Sequence, residues 1–249
     1  VDKFEIINII QFGCGGTGSF LFPHIVRFLS NIRRRNNNIQ ILYTICDDDF
    51  VESRNILRQN FHELNIGRLK TKSLLTNNYL FNLKKIGFRI FIFNKRFKSL
   101  KSFDKLITPQ IAYYPSAINI MIGCVDNNKS RRIIYKWITD DRVCEINTIY
   151  LDSGNNLYNG QIVCTVSNGA RNMFLNGKSF ENIDFLKYFK LADDRKQTQS
   201  CAFFGDQSHS MNLMSSTLLF CHIQKILIEQ RLPPSIVNFN NGGFSSFEI

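Results

Sequence analysis

Two stretches of this chain hold residue types whose spacing could do chemistry: Gly13-Cys14-Gly15-Gly16-Thr17-Gly18-Ser19, and the run from Asp47-Asp48-Asp49 through Asn55, Arg58 and Gln59. Gly67-Arg68-Leu69-Lys70 and Asp126-Asn127 lie downstream. The glycine loop follows an apolar run and opens a helical pattern. In that context phosphates meet backbone N–H groups at a helix N-terminus. Gly13, Gly15, Gly16 and Gly18 would let the backbone come close to them. A glycine loop alone fits any dinucleotide-binding protein, and Asp47, where an acid can hold a ribose diol, is shared with those proteins too. Asp49 is different. It falls two residues on, facing the phosphates, where a carboxylate repels a pyrophosphate unless Mg²⁺ or a cationic side chain lies between. Asp48 reads as a solvent-facing spacer.

Asn55, Arg58 and Gln59 stand at i, i+3 and i+4, which puts them on one side of a helical turn. Arginine offers a planar fork suited to phosphate oxygens. A solvated helix face is the plain alternative, and the conjunction with Asp47 and Asp126 weighs against it. Asp126 follows the apolar run Ile118–Cys124, and a carboxylate at the C-terminal end of a parallel strand points into the ligand crevice. Carboxylates, an amide, an Arg and a Lys in this order read as an ATP site built to activate a carboxylate.

These residues need a frame. Ile6–Phe12 is a buried parallel strand by its apolar run, and 17–29 is the helix after it, with Pro23 as a misfit. Ile39–Cys46 is a second strand, and 51–60 is irregular or briefly helical. A helix is expected over Lys70–Leu83, strands over Phe88–Asn94 and Ile118–Cys124, a helix over Asn128–Thr139, and a strand over Thr148–Ser153. This alternation implies a parallel sheet with helices on both faces. Beyond Asp152 the pattern changes. Leu157–Val166 reads as an antiparallel strand, and 168–199 as a polar, irregular crossover loop. Ser208–Glu229 reads as a long buried helix stopped by Pro233-Pro234. Ser235–Phe239 and Phe244–Ile249 form a hairpin across Asn241-Gly242-Gly243.

Composition bounds the class. The 249 residues are 44% hydrophobic, enough for one large core or a core with a small appendage. No run reaches the ~18 apolar residues a membrane helix needs. The opening Val1–Gln11 reads as a strand entering the glycine loop rather than a signal peptide. The seven cysteines are odd in number and scattered, which favours reduced thiols in a cytoplasm. The net charge is +11. It fits a Lys/Asn/Ile-rich composition, or a surface for an acidic partner supplied by Arg33-Arg34-Arg35 and the basic stretch Lys84–Lys105. Nucleic acid is permitted by this charge without being favoured.

The order G-x-G-G-x-G-S, D-x-D-x-V-x-x-x-N-x-x-R-Q, G-x-x-K, D-N resembles the ThiF/MoeB/HesA family of adenylating proteins, whose fold ubiquitin-activating enzymes share. The variant Asp-Asp-Asp-x-Val-Glu, with Ser200-Cys201 late in the chain, is similar to the plasmid-associated PRTRC-system ThiF branch. The match runs from Ile6 to about Phe239 and is poor over 95–117 and 168–199. The resemblance implies an α/β fold: a Rossmann-like mixed sheet of about eight strands, parallel in its N-terminal half and antiparallel in its C-terminal half. It divides one adenylation domain into a nucleotide-binding half, 1–154, and a carrier-binding half, 155–249, with a crossover loop at 168–200.

Further expectations come with the family. Asn55, Arg58 and Lys70 contact the triphosphate and stabilise the transition state. Asp126 binds Mg²⁺ and orients the attacking carboxylate. Asn127 and Arg131 match D-N-x-x-x-R, with Arg131 either a ligand or a helix-to-sheet clamp. The implied activity is ATP- and Mg²⁺-dependent adenylation of the C-terminal carboxylate of a ubiquitin-like or sulfur-carrier-like protein, by a homodimer. Cys201 precedes the long helix, whose N-terminus can lower a thiol pKa. In the family a Cys there accepts the activated partner, or is kept without being needed. The other cysteines read as packing residues. Many members hold zinc with two C-x-x-C pairs. This chain has none, so no zinc is expected. Members also carry an N-terminal Arg that reaches the partner subunit's ATP. The residues before Gln11 include no Arg, so either another Arg substitutes or the segment that carries it precedes this sequence. The alternatives are a member that activates a tRNA-borne or peptide carboxylate, a non-catalytic docking module for a ubiquitin-like partner, and an NAD-dependent oxidoreductase.

Overall fold

The strands that carry the glycine loop and Asp126 are apolar at almost every position, as strands covered on both faces must be. Ile6–Phe12 (β1) is buried from Ile7 onward, and Ala117–Gly123 (β4) is buried throughout. The computed structural model describes residues 3–77, 87–175, 208–240 and 242–247. The other strands are Gln40–Cys46 (β2), Phe88–Phe93 (β3), Thr148–Asn155 (β5), Asn159–Val166 (β6), Ile236–Asn240 (β7) and Gly243–Phe247 (β8). They form one eight-stranded sheet in the order β3-β2-β1-β4-β5-β6-β7-β8. Pairing is parallel from β3 to β5 and antiparallel from β5 to β8. The expected mixed α/β sheet is therefore present.

Helices cover both faces. Gly16–Arg35 (α1), Lys70–Asn77 (α3) and His209–Gln224 (α7) contribute Phe22, Ile25, Leu29, Leu74, Leu219 and Ile223 to one core. Leu100–Ile107 (α4) and Asn128–Ile138 (α5) place Phe103, Ile107, Ile134 and Trp137 in the other. Two shorter pieces are Ser53–Ile56 (α2) and Asn168–Leu175 (α6). Among the described residues, no helix is long and apolar enough to cross a membrane.

Four expectations need correction. The helix expected over 17–29 with Pro23 as a misfit runs through that proline and on to Arg35. A proline cannot donate to the carbonyl four residues back, which here is that of Ser19. That carbonyl instead accepts from Asn60 Nδ2 at 3.3 Å. Helix α4 lies in a stretch read mainly for its lysines. Ser99 caps it by accepting from the Ser102 N–H at 3.3 Å, and Phe103 and Ile107 point inward four residues apart. The irregular stretch expected from 168 begins as helix α6, and its remainder lies outside the described residues. So does the far end of the helix expected to Leu83. Finally, α7 is stopped before its prolines. It passes into a π-turn over Lys225–Glu229 and ends at Gln230, whose φ of 54° is left-handed.

Candidate nucleotide site

The chain leaves β1 for β2 on one side and later returns to β4 on the other. A crevice opens at such a switch point, outside the C-terminal ends of the strands. The glycine loop follows β1, Asp47–Asp49 follow β2, Asn94–Arg96 follow β3, and Asp126 follows β4. Every proposed site residue except Cys201 lies on segments that begin at this edge. Cys201 lies outside the described residues.

The loop is held from below by a residue the motif does not include. Gln11 is fully buried in β1; its Nε2 donates to the carbonyls of Gly13 (3.0 Å) and Gly18 (3.1 Å). Its Oε1 accepts from the buried Tyr43 hydroxyl at 2.6 Å. A glutamine in an apolar strand is costly to bury unless each polar atom is paired, so this network fixes the turn. Gly13 has φ +94°, and a Cβ there would collide with the Cys124 carbonyl. At Gly16 a Cβ would strike the Asn212 amide of α7. Gly15 is under no such demand: a Cβ there would meet only Gln59 Nε2, at 3.8 Å. The space over Gly15 is open.

Asp47 ties this loop to its own. One carboxylate oxygen accepts from the Cys14 N–H at 2.6 Å and the other from the Asp49 N–H at 2.8 Å. Burial pushes the Asp47 carboxyl up, and Lys70 with the two N–H groups pulls it back. Lys70, first residue of α3, is 7% exposed and sets its Nζ 3.0 Å from Asp49 Oδ2. Its own N–H donates to the Asp49 carbonyl at 3.0 Å. Asp48, expected as a solvent-facing spacer, instead pairs with Arg96 at 3.2 Å, and Arg96 also reaches Asp49 at 3.1 Å. The carboxylate oxygens of Asp47, Asp48 and Asp49 come within 4.8 Å of one another. Oxygen donors so gathered suit a hard cation such as Mg²⁺. Asp126 is not in that group; it is exposed and accepts a long 3.5 Å bond from Asn127.

Helix α2 ends at Ile56, but the turn continues: the Asn55 carbonyl accepts from the N–H groups of Arg58 (3.2 Å) and Gln59 (2.9 Å). Asn55 is buried and its Oδ1 accepts from the Glu52 N–H at 2.8 Å, capping its own turn. Arg58 is half-buried, and its carbonyl accepts from Asn212 Nδ2 at 3.1 Å. Gln59 is 8% exposed, and its Oε1 has no hydrogen-bond partner. The segment is anchored to α1 by Asn60, whose N–H donates to Ser19 Oγ at 3.0 Å. Arg131 takes the clamp role. It donates to the Val125 carbonyl (2.7 Å) and the Ser153 carbonyl (2.8 Å), and its Nε lies 3.6 Å from the fully buried Asp152.

The six described cysteines are free thiols. Burial pushes the thiols of Cys14, Cys46, Cys124 and Cys164 well up, which keeps them protonated and inert.

The fold of this chain is shared with solved structures. The crystal structure of E. coli MccB with AMPCPP and selenomethionine MccA matches with a TM-score of 0.67, over 99% of this chain and 65% of MccB. MccB with ATP gives the same TM-score and coverage, each at 16% identity. PaaA matches with a TM-score of 0.61 at 14% identity, over all of this chain and 74% of PaaA. The chain has the MccB fold. It spans 65% of the length of the MccB chain. No protein-family model matches the chain, and no curated protein matches it.

Proposed function

We propose that the chain binds ATP with Mg²⁺ in the β1/β4 crevice and transfers AMP to the terminal carboxylate of a peptide or small protein. In this reaction a carboxylate oxygen attacks the α-phosphorus, the bond to the bridging oxygen breaks, and pyrophosphate leaves with that electron pair. The observation that carries the reading is the convergence at one sheet edge of an open glycine turn, a nearly buried Lys70, Arg58 and several carboxylates on the loops after β2 and β4. Dinucleotide binding explains the glycine turn and Asp47. It does not explain Lys70 held on Asp49 two residues later.

Mg²⁺, when bound, supplies charge neutralisation for the phosphates. Asp126, on the loop after β4, would hold it, apart from the separate oxygen group of Asp47–Asp49. Lys70 and Arg58 would bind and orient the triphosphate, and Asp126 would align the acceptor. The work of such a site is mostly positioning and charge stabilisation. The MccB structures that hold AMPCPP or N-formylated MccA support a polypeptide acceptor. A ubiquitin-like or sulfur-carrier-like acceptor is the reading the sequence motifs favour, with Cys201 as a later acyl acceptor and a homodimer as the working state.

Exchange of labelled pyrophosphate into ATP, with candidate carboxyl-terminal peptides and small carriers, tests this. Asp126→Ala should lower exchange by roughly 10²-fold, the size of losing one preorganised group, with an unchanged fold, because the residue is exposed at a strand end. Cys201→Ala should spare exchange and block only a later covalent transfer. Tight NAD binding without any ATP signal would overturn the proposal.

A further inference from the structure

We infer that Arg96 is a phosphate-binding residue of this site, held by Asp48 and Asp49 until a nucleotide's phosphates take it; the inference rests on the ATP reading above. Arg96 stands on the loop that follows β3, beside the loop after β2. Its guanidinium Nε lies 3.2 Å from Asp48 Oδ1, and its NH2 nitrogen 3.1 Å from Asp49 Oδ1. Asp126, from the far side of β1, also acts on it electrostatically. One cation thus faces carboxylates from the ends of two different strands, across the mouth of the crevice.

Its surroundings mark it as an exchangeable group. The Arg96 side chain is 60% exposed, and Asp48 and Asp49 are 37% and 50% exposed. Ion pairs this wet are worth about 0–1 kcal/mol each, so little holds the guanidinium where it is. A planar fork that pairs with two carboxylates offers the same geometry to phosphate oxygens, with at least equal affinity. Lys70 is different: it is nearly buried and already committed to Asp49 by both its Nζ and its N–H. Arg96 can move onto a ligand without leaving a buried charge behind. When it moves, Asp48 loses its cation, while Asp49 keeps Lys70. The exchange keeps the local charge balanced as the negatively charged triphosphate arrives.

The test is titration calorimetry with Mg-ATP and with AMP on the whole chain. Arg96→Ala should weaken ATP binding on the order of tenfold or more and leave AMP binding unchanged, with the melting temperature as a check on folding. Arg96→Lys should recover only part of the affinity, because a point charge lacks the fork. Asp48→Asn removes a competitor for the guanidinium, so in titrations with metal-free ATP it should tighten binding about threefold, and that gain should vanish in the Arg96→Ala background. Equal ATP affinity for wild type and Arg96→Ala, or a gain from Asp48→Asn that persists without Arg96, would overturn the inference while leaving ATP binding in place. If the wild-type chain binds no Mg-ATP, the proposed function falls, and this inference with it.

Discussion

Arg131 with Asp152, and Arg96 with Asp48 and Asp49, are the same residue types in opposite surroundings. Arg131 and Asp152 are 10% and 0% exposed in their side chains and 3.6 Å apart, with Asp152 inside β5 opposite the end of β4. Arg96 and its aspartates lie at the rim, 37–60% exposed. In the buried pair every hydrogen bond is a commitment. Tyr150 donates to Asp152 at 2.6 Å, and Arg131 ties the Ser153 carbonyl to that of Val125, next to Asp126. Such a pair is hard to break because removing one member strands a charge. The rim pair has no such hold. Burial thus separates an arginine that positions the site from an arginine that can move within it.

The largest effect expected is at the buried pair. Arg131→Ala leaves the Asp152 carboxylate without its cation and two carbonyls without their donor, and should cost about 3–5 kcal/mol in urea unfolding. Arg131→Met with Asp152→Leu should recover part of that loss, since no buried charge remains. A loss below about 1 kcal/mol for Arg131→Ala would mean that the pair is solvated in solution, and the contrast would collapse.

A second buried group sharpens the point through pH. His222 on α7 is 6% exposed, and burial, aided by Lys225, pushes its pKa down to about 4. The unfolded chain takes up that proton near pH 6.5, before the folded one does. Stability from this residue is therefore full above about pH 6.5 and falls as pH drops toward 4, by roughly 3 kcal/mol in all. Asp152 works in the reverse sense. Burial raises its pKa, so its contribution is present in acid and fades as pH rises through the folded value. Denaturation midpoints between pH 7 and 4 should drop for wild type and flatten for His222→Leu; parallel curves for the two would sink the assignment.

Much of the scaffold was legible in the sequence because strands β1 and β4 are apolar at most positions and their ends carry motif residues. The glycine loop, Asp47, Lys70 and Asp126 could be placed for that reason. What stayed hidden depends on long-range contact. Gln11 looks like an interruption in a strand until Gly13 and Gly18 fold back over it. Asn212, fully buried, has no local signal for its bonds to Asn155 and Arg58, 57 and 154 residues away. Pro23 looks like a defect because its use, a carbonyl left free for Asn60, lies 41 residues away from Ser19. Helix α4 had a readable signal in the spacing of Leu100, Phe103 and Ile107, masked by Lys98, Lys101 and Lys105. Arg96 was one basic residue among many, and only the sheet order brings β3's loop beside β2's.

Lys70 stands between the two extremes: nearly buried itself, with a half-exposed partner. Its removal should register in both readouts. Lys70→Met should lower pyrophosphate–ATP exchange by roughly 10²-fold, as expected for a transition-state cation. Stability should change by only about 1 kcal/mol, because the stranded Asp49 can turn to water. A variant that unfolds yet exchanges normally when stabilised would reassign Lys70 from the chemistry to the scaffold.

The smallest expected effect is the one that tests the rim. Arg96→Ala should change unfolding free energy by less than about 1 kcal/mol, and that difference should shrink further in 1 M salt, where exposed charges more than about 3 Å apart are screened. The loss from Arg131→Ala should hardly respond to the same salt, because its partner is shielded from ions by the protein itself. The two salt series, run on one urea titration protocol, compare two Arg–Asp contacts that differ chiefly in burial. A salt-insensitive loss of several kcal/mol at Arg96 would show that the loop after β3 is a fixed clamp like Arg131. The guanidinium could not then leave Asp48 and Asp49 for a phosphate without unfolding what it holds.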